Sequence, residues 1–198
     1  MRIFISGPSG VGKSTIIKEI LKRKSDIVLS VSYTTRSPRP GEQEGIDYFF
    51  TDRQTFEQMI RSGAFLEWAQ VHDNLYGTSL EWIAKEEREG LHVLFDIDVQ
   101  GVTQSKGKGS PGCFILILPP SMDELVRRLS KRGTENPQAL TTRIENAKSE
   151  LSHWSLYDYL VVNDSLETTI HTIATIIEAY RSSREVVIGE LPWLRTIV

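Results

Sequence analysis

Short apolar runs alternate with amphipathic stretches along most of this chain. Between the runs, apolar residues recur every three or four positions, which places them on one face of a helix. Lys13–Lys24 shows this spacing most clearly, with Ile16, Ile17, Ile20 and Leu21 on one stripe. The runs that predict buried strands are Arg2–Ser6, Asp26–Val31, Leu91–Asp96, Cys113–Leu118 and Tyr157–Val162. Strands that alternate with helices predict an α/β fold with a mostly parallel sheet covered on both faces.

Polar residues mark where further helices begin. Ser121 followed by Glu124 has the spacing of a capping box, and Asn136-Pro137 is a typical N-cap and first-turn pair. Asp164 and Glu167 open the last long helix, whose apolar residues step by four and three.

Two segments interrupt the alternation. Residues 33–80 contain a polar loop, an aromatic strand at Tyr48–Phe50, a helix near Asp52–Ser62 and a strand-like stretch at Phe65–His72, which predicts a small inserted α+β subdomain. Residues 121–142 are basic and predict a mobile second insertion. The expected organisation is one domain with a core (1–32, 81–120 and 143–190), an insert (33–80) and a lid (121–142).

Composition narrows the possible functions. The chain has 198 residues and a formal net charge of −3, which argues against a general binder of nucleic acids or anionic membranes. No apolar run reaches the roughly 18 residues of a membrane span, and a strand already begins at Arg2, so we expect a cytoplasmic protein. The single cysteine, Cys113, excludes a disulfide framework and lies in an apolar run typical of a core.

The segment Gly7-Pro-Ser-Gly-Val-Gly-Lys13-Ser14 matches the phosphate-binding loop motif in full. A chance Gly-rich turn is the alternative, but the motif follows an apolar strand and precedes an amphipathic helix, as a P-loop NTPase fold requires. Backbone N–H groups and the helix N-terminus would face phosphate, Lys13 would reach the outer phosphates, and Ser14 would bind Mg²⁺. The residues expected to bind ATP here are Gly7, Pro8, Ser9, Gly10, Val11, Gly12, Lys13, Ser14 and Thr15.

Asp96 is the last residue of the apolar strand Leu91–Asp96, and Asp98 follows it by two positions. Carboxylates at the carboxyl end of a parallel strand border the ligand crevice of such sheets. Either one could support Mg²⁺ through a water molecule, together with Ser14. The alternative is that the pair caps the following helix, and the two roles are compatible.

Eight stretches in the same order resemble the guanylate kinases over about residues 2–180. The matching stretches are Gly7–Thr15, Ser30–Arg39, Gly45–Phe49, Phe65–Trp68, Tyr76–Thr78, Asp96–Gly101, Arg132–Glu135 and Val162–Asp164. The resemblance implies that the inserted segment binds GMP.

Two groups of residues receive roles through this resemblance. It implies that the GMP phosphate is held by Arg36, Arg39, Tyr48 and Tyr76, and that guanine is read by Ser32, Glu67, Thr78 and Asp98. The chemistry agrees, because arginine presents a planar fork of donors to phosphate, and a carboxylate can accept both guanine N1–H and the 2-amino group. Taken singly, the arginines resemble solvated surface charges and Tyr48 a core residue; only their joint spacing favours the site.

Basic residues crowd the second insertion and the helix after it: Arg127, Arg128, Lys131, Arg132 and Arg143. A solvated basic face is one interpretation. The family resemblance instead implies that Arg132 and Arg143 act in catalysis with Lys13, closing over the phosphates. It also implies that Asn163 contacts adenine, although Asn163 could equally cap a helix.

Together these features predict an enzyme, a nucleoside monophosphate kinase. It would transfer the γ-phosphoryl group of ATP to GMP or dGMP by direct in-line attack, with Mg²⁺ as cofactor, and would be a monomer or homodimer. Two alternatives remain open at this point: a guanylate-kinase-like scaffold that binds proteins without catalysis, and a P-loop kinase for a sugar phosphate.

Overall fold

The first strand, β1 (Arg2–Ser6), runs into the Gly-rich loop, and helix α1 (Lys13–Arg23) begins where the loop ends. The computed structural model describes residues 1–131, 137–191 and 193. The other strands are β2 (Ile27–Leu29), β3 (Tyr33–Thr34), β4 (Phe49–Phe50), β5 (Phe65–Val71), β6 (Asn74–Ser79), β7 (His92–Asp96), β8 (Cys113–Leu118) and β9 (Tyr159–Val162). The other helices are α2 (Arg53–Arg61), α3 (Leu80–Arg88), α4 (Val99–Gly107), α5 (Met122–Lys131), α6 (Pro137–Ser152), α7 (Leu166–Arg181) and α8 (Arg184–Glu190).

The larger sheet has the strand order β2-β7-β1-β8-β9, and all of its pairings are parallel. β1 lies between β7 and β8, so that Ile3 is in register with Leu94 on one side and with Cys113 on the other. The predicted α/β fold with a mostly parallel sheet is therefore confirmed. Three of the predicted strands are longer than the observed ones, because β2 covers only Ile27–Leu29, β7 begins at His92 and β9 begins at Tyr159.

Apolar side chains are buried on both faces of this sheet. One core packs β1 and β8 against α1 and α7, and the other surrounds Phe4, which stacks on Phe95 and Phe114. Cys113 is fully buried in the first core, and burial raises the pKa of its thiol to about 12. The cysteine is thus a core residue, as its apolar neighbours predicted.

A second sheet, in the order β4-β3-β6-β5, is built from residues between 33 and 80. β5 and β6 form an antiparallel hairpin, and His72 in its turn has a positive φ of 53°. The sequence pattern indicated β5 and α2, whose N-cap Asp52 accepts a hydrogen bond from Thr55 N–H. It missed β6, because Tyr76-Gly77-Thr78 lacks a clear apolar alternation, and it missed α3.

Helix α5 follows its predicted start only in part. Ser121 Oγ accepts a hydrogen bond from Glu124 N–H at 3.1 Å, which is one half of the predicted capping box. The Glu124 carboxylate binds Arg127 and Arg128 instead, and these arginines hold its pKa at about 2. Helix α6 begins at Pro137 as expected, while its proposed cap Asn136 lies outside the described residues. Within the described part of the chain, none of the helices has the length and apolar character needed to cross a bilayer.

Candidate active site

The Gly-rich loop wraps around the space in front of helix α1. Gly12, the N-cap of α1, has a φ of 100°, which a residue with a side chain rarely adopts. A Cβ on Gly10 would lie 2.8 Å from Leu129 Cδ2, so the loop also approaches α5 closely. The pocket in front of the loop is lined by P-loop residues together with Asp98 and Glu150. Backbone N–H groups at a helix N-terminus favour phosphate oxygens in such a pocket.

Asn163 supports this loop from behind. Its side chain is buried, and its Nδ2 donates to the carbonyl of Val11 at 2.7 Å. Its Oδ1 accepts a hydrogen bond from Thr169 Oγ1 at 3.0 Å, so both ends of the amide are occupied. A Cβ on Gly12 would lie 2.7 Å from the same Nδ2, which explains why this position needs glycine. The structure thus places Asn163 against the loop backbone, while the predicted contact with adenine stays a prediction.

Lys13 and the two aspartates meet at the edge of the larger sheet. Lys13 Nζ lies 2.7 Å from Asp96 Oδ1, so ATP phosphates would compete with Asp96 for this ammonium group. Asp98 is the N-cap of α4 and accepts a hydrogen bond from Gly101 N–H at 3.0 Å. The capping role that the sequence left open therefore applies to Asp98. Asp96 shares a surface pocket with Ser14.

The donors at this edge suit Mg²⁺. Within the described residues, no group of three or more His, Cys, Asp or Glu side chains is arranged to hold a metal ion. Mg²⁺ usually binds through one or two protein oxygens, with substrate phosphates and water as its other ligands. The hydroxyl of Ser14 and the carboxylates of Asp96 and Asp98 match that ligand set.

Three side chains of the insert, those of Arg36, Tyr48 and Tyr76, lie close together. The Arg36 guanidinium lies over the Tyr48 ring, 5.3 Å from its centroid, and the Tyr48 and Tyr76 rings are 5.9 Å apart. Arg36 Nη2 also donates to both carboxylate oxygens of Glu42, at 2.8 and 3.0 Å. The ion pair with Glu42 raises the pKa of Arg36, and the nearby Tyr76 side chain adds to that rise. A cation and two phenols form a set of donors suited to a phosphate dianion.

Arg39 contributes differently to this region. Its backbone N–H donates to Glu42 at 2.7 Å, while the residue itself is exposed. Glu42 thus links the loop around Arg39 to the guanidinium of Arg36. Glu42 was not predicted as a site residue, although an acid that follows two predicted phosphate-binding arginines and precedes Tyr48 was a usable signal.

Three of the four residues expected to read guanine form a hydrogen-bonded series. Glu67 lies opposite Thr78 in the β5–β6 ladder, next to a bulge between Phe65 and Glu67. Thr78 Oγ1 donates to Glu67 Oε1 at 2.6 Å, and Ser32 Oγ lies 3.4 Å from Thr78 Oγ1.

Glu67 is a buried acid. Glu67 is only 7% exposed, and this burial raises the pKa of its carboxyl group. The hydrogen bond from the Thr78 hydroxyl opposes the rise, and the nearby carboxylate of Asp98 adds to it. A buried carboxylate is costly unless it is paired or binds a donor. The geometry therefore suits a ligand that brings hydrogen-bond donors to Glu67.

Helices α5 and α6 bring basic residues to the loop. Arg143 Nη2 donates to Ser9 Oγ of the P-loop at 2.8 Å. Arg128 donates to the backbone carbonyl of Asn163 at 3.1 Å and to that of Val11 at 3.4 Å. The basic face therefore contacts the loop in part. Arg132, the other predicted catalytic arginine, lies outside the described residues.

Glu150 is a second site residue that sequence reasoning missed. It lines the P-loop pocket, and burial raises its pKa while the Lys13 ammonium opposes that rise. Glu150 follows Arg143 by seven residues on α6, so the two share a helix face. That spacing was the signal available in the sequence.

Comparisons with known proteins agree with this geometry. A family model described as guanylate kinase matches residues 1–180. The chain is 47% identical to a guanylate kinase of Caldanaerobacter subterraneus over 177 residues, which cover 89% of this chain and 86% of the relative. It is 46% identical to a guanylate kinase of Thermotoga maritima over 178 residues, or 90% of this chain and 86% of the relative.

Solved structures give the same result. A crystal structure of a guanylate kinase from Anaplasma phagocytophilum matches with a TM-score of 0.70 and 32% identity, covering 97% of this chain and 95% of that one. An uncharacterized protein from Eubacterium ventriosum shares the fold, with a TM-score of 0.50, 14% identity, and coverage of 90% of this chain and 98% of that one.

Proposed function

Because this chain belongs to the guanylate kinase family, we propose that it transfers the γ-phosphoryl group of ATP to GMP, giving ADP and GDP. Family membership confirms the predicted enzyme class, a nucleoside monophosphate kinase. The observation that carries the choice of GMP is the buried series of Glu67, Thr78 and Ser32. It offers a carboxylate and hydroxyl groups to the edge of guanine that carries N1–H and the 2-amino group.

The buried acid accounts for selectivity against adenine. Guanine brings two donors to Glu67, while adenine lacks both on that edge. With AMP bound, the Glu67 carboxylate would be desolvated without these donors, a penalty of about 1–3 kcal/mol and more for a charged group. Asp98, whose carboxylate caps α4 and adds to the raised pKa of Glu67, completes the proposed guanine site.

The phosphoryl groups of the two substrates meet between the insert and the P-loop. In our proposal Arg36, Arg39, Tyr48 and Tyr76 hold the phosphate of GMP. A GMP phosphate oxygen attacks the γ-phosphorus in line and ADP leaves. The attacking oxygen is already anionic, so no general base is required.

The side chains around ATP stabilise the charge that spreads over the transferring group. Lys13 leaves Asp96 to contact the outer phosphates, and Arg143 already lies at the P-loop. Arg132 has the same proposed role, and Asn163 supports the loop and borders the adenine site. Such transfer depends on positioning and electrostatics, with little covalent chemistry for the protein to perform.

Mg²⁺ is the proposed cofactor. Ser14 would hold it, with Asp96 or Asp98 bound through water, and when bound it supplies positive charge to the β- and γ-phosphates. Both aspartates border pockets that Ser14 also lines. We favour Asp96 because Asp98 already caps α4.

The division into a core, an insert at 33–80 and a lid at 121–142 is part of the same proposal. Lid closure would bring the basic residues of α5 and α6 over ATP and exclude water that could hydrolyse it. We further propose that the enzyme acts in the cytoplasm, as a monomer or homodimer, on GMP or dGMP.

A screen of acceptors tests the function directly. The protein is incubated with ATP, Mg²⁺ and one monophosphate at a time, and ADP and the diphosphate are measured. We expect GDP from GMP, and little product from AMP, CMP or UMP. Equal turnover of AMP, or none of GMP, would contradict the proposal and would favour a kinase with a different acceptor, such as a sugar phosphate.

A substitution of the P-loop lysine distinguishes a kinase from a scaffold that binds partners without catalysis. Lys13→Ala removes the ammonium that contacts the outer phosphates, and we expect kcat to fall by about 10²–10³. Lys22→Ala is the matched control, because Lys22 lies on the same helix with its side chain 58% exposed. Turnover that Lys13→Ala leaves undiminished would show that the loop assignment is wrong, and absent turnover in the wild type would favour the scaffold alternative.

A further inference from the structure

One face of α4 lies along β5, the outer strand of the smaller sheet. Gly101, Gln104 and Lys108 follow one another at the spacing that places residues on one face of a helix. A Cβ on Gly101 would lie 3.4 Å from Glu67 Oε2, and Lys108 Nζ donates to the carbonyl of Phe65 at 2.6 Å. The helix therefore follows the segment that carries Glu67.

Gln104 pairs with β5 as a neighbouring strand would. Trp68 N–H donates to Gln104 Oε1 at 3.1 Å, and Gln104 Nε2 donates to the Trp68 carbonyl at 2.7 Å. β5 has β6 on one side only, so its outer edge offers backbone groups that need partners. One side-chain amide satisfies both backbone groups of Trp68, the residue directly after Glu67.

These contacts join two parts of the proposed guanine site. Asp98 is the N-cap of α4 and follows strand β7 of the larger sheet, whereas Glu67 belongs to the smaller sheet. The two carboxylates are close enough for Asp98 to raise the pKa of Glu67. The bulge between Phe65 and Glu67 interrupts the β5–β6 register directly before Glu67, so the uninterrupted pairing with β6 runs only from Glu67 towards the hairpin turn.

We propose that Gln104 is a positioning residue for guanine recognition, setting the position of Glu67 relative to Asp98 through its two hydrogen bonds to Trp68. This inference rests on the proposed function. Gln104 itself need not touch GMP. Its loss would let β5 shift away from α4, and the Glu67 carboxylate would then lie off the line of the guanine donors.

The test compares Gln104→Met with the wild type. Methionine keeps the length and approximate volume of the side chain but cannot form the amide pair. We expect KM for GMP to rise about tenfold, KM for ATP to stay within twofold, and kcat to change less than KM for GMP. Selectivity for GMP over IMP, which lacks the 2-amino group, should fall at least about threefold, because the hydrogen bond from that amino group requires the Glu67 carboxylate in its correct position.

Two further variants complete the experiment. Thr103→Ala, at an exposed neighbouring position on α4, is the matched control and should leave every constant unchanged. Gln104→Glu keeps the shape and the acceptor but places a carboxylate against the Trp68 carbonyl, so it should show the same pattern. It decides the question if Gln104→Met does not fold.

The outcomes separate the inference from the function on which it rests. Wild-type protein that fails to phosphorylate GMP overturns the proposed function. Active wild type with unchanged KM for GMP and unchanged GMP-to-IMP selectivity in the variants overturns the role of Gln104. Equal changes in both KM values, or lower thermal stability alone, also overturn it, because they indicate a purely structural contact.

Discussion

Replacing Glu67 with glutamine changes the proposed guanine site with little change of shape. In the wild type, Oε1 of Glu67 accepts a hydrogen bond from Thr78 Oγ1 at 2.6 Å. Glutamine can keep that bond through its own carbonyl oxygen, so its NH₂ group then occupies the position of Oε2. A donor would face the donors of guanine, and the charge would be gone.

The expected magnitude follows from this geometry. Glu67→Gln removes at least one hydrogen bond to a charged group, worth about 1.5–3 kcal/mol, which raises KM for GMP roughly 10- to 150-fold. Adenine presents an acceptor at N1, to which the new NH₂ can donate. We therefore expect the preference for GMP over AMP to fall by more than the change in KM for GMP alone.

Glu67→Gln should weaken GMP binding but raise the unfolding free energy of the protein. Burial raises the pKa of Glu67, so the folded protein binds this proton more tightly than the unfolded chain does. The wild type is therefore most favoured below the ordinary pKa of glutamate, and its unfolding free energy declines as pH rises through the folded pKa. Glu67→Gln does not titrate, so its advantage in unfolding free energy over the wild type should grow as pH rises from the ordinary pKa of glutamate through the folded pKa, and should be constant above it.

Steady-state kinetics and urea unfolding check both expectations. KM for GMP is measured at saturating ATP, KM for ATP at saturating GMP, and unfolding at several pH values. Glu57→Gln is the matched control, because Glu57 lies in the same insert with its side chain 44% exposed and should leave both properties unchanged. An unchanged KM for GMP in Glu67→Gln, or a loss of stability at neutral pH, would refute this reasoning.

Three further predictions concern other parts of the molecule. Arg36→Lys replaces the planar fork that contacts Glu42, and KM for GMP measured by initial rates should rise about tenfold, with KM for ATP unchanged. Asn163→Ala removes the donor at 2.7 Å from the Val11 carbonyl and leaves that carbonyl only the longer contact from Arg128 at 3.4 Å, so urea unfolding should show a loss of about 1–3 kcal/mol, with a raised KM for ATP; unaltered stability would argue against this support of the loop. Cys113, buried and with a pKa of about 12, should react with iodoacetamide at pH 8 only after unfolding, as mass spectrometry of native and denatured samples would reveal.

The sequence by itself determined the fold class and the phosphate loop. Both depend on local patterns, because apolar runs, helical spacing and the glycines of the loop lie close together along the chain. The strand Cys113–Leu118 was predicted to the residue for that reason. The bounds of β2 and β9 were less well predicted, because strand ends depend on neighbouring strands rather than on composition.

The list of guanine and phosphate residues came from the resemblance to a family, and the structure added their partners. Thr78 and Glu67 are adjacent in the ladder, but β6 was missed because its alternation is weak. Glu42 and Glu150 were missed because an isolated acid in a loop or helix resembles a solvated charge until its neighbours are known. Burial distinguishes Glu150 from a surface residue, whereas the hydrogen bonds from Arg36 and from the Arg39 backbone distinguish Glu42.

Only the tertiary structure decided which distant residues contact one another and which role each of them has. Asp96 and Asp98 are two positions apart, yet one binds Lys13 and the other caps α4. Asn163 lies against Val11, 152 positions away, and Gln104 pairs with Trp68, 36 positions away. The first contact forms because parallel strands bring the ends of remote segments to one edge of a sheet, and the second because α4 lies along the outer edge of β5. Local sequence patterns carry little information about which segments will meet in this way.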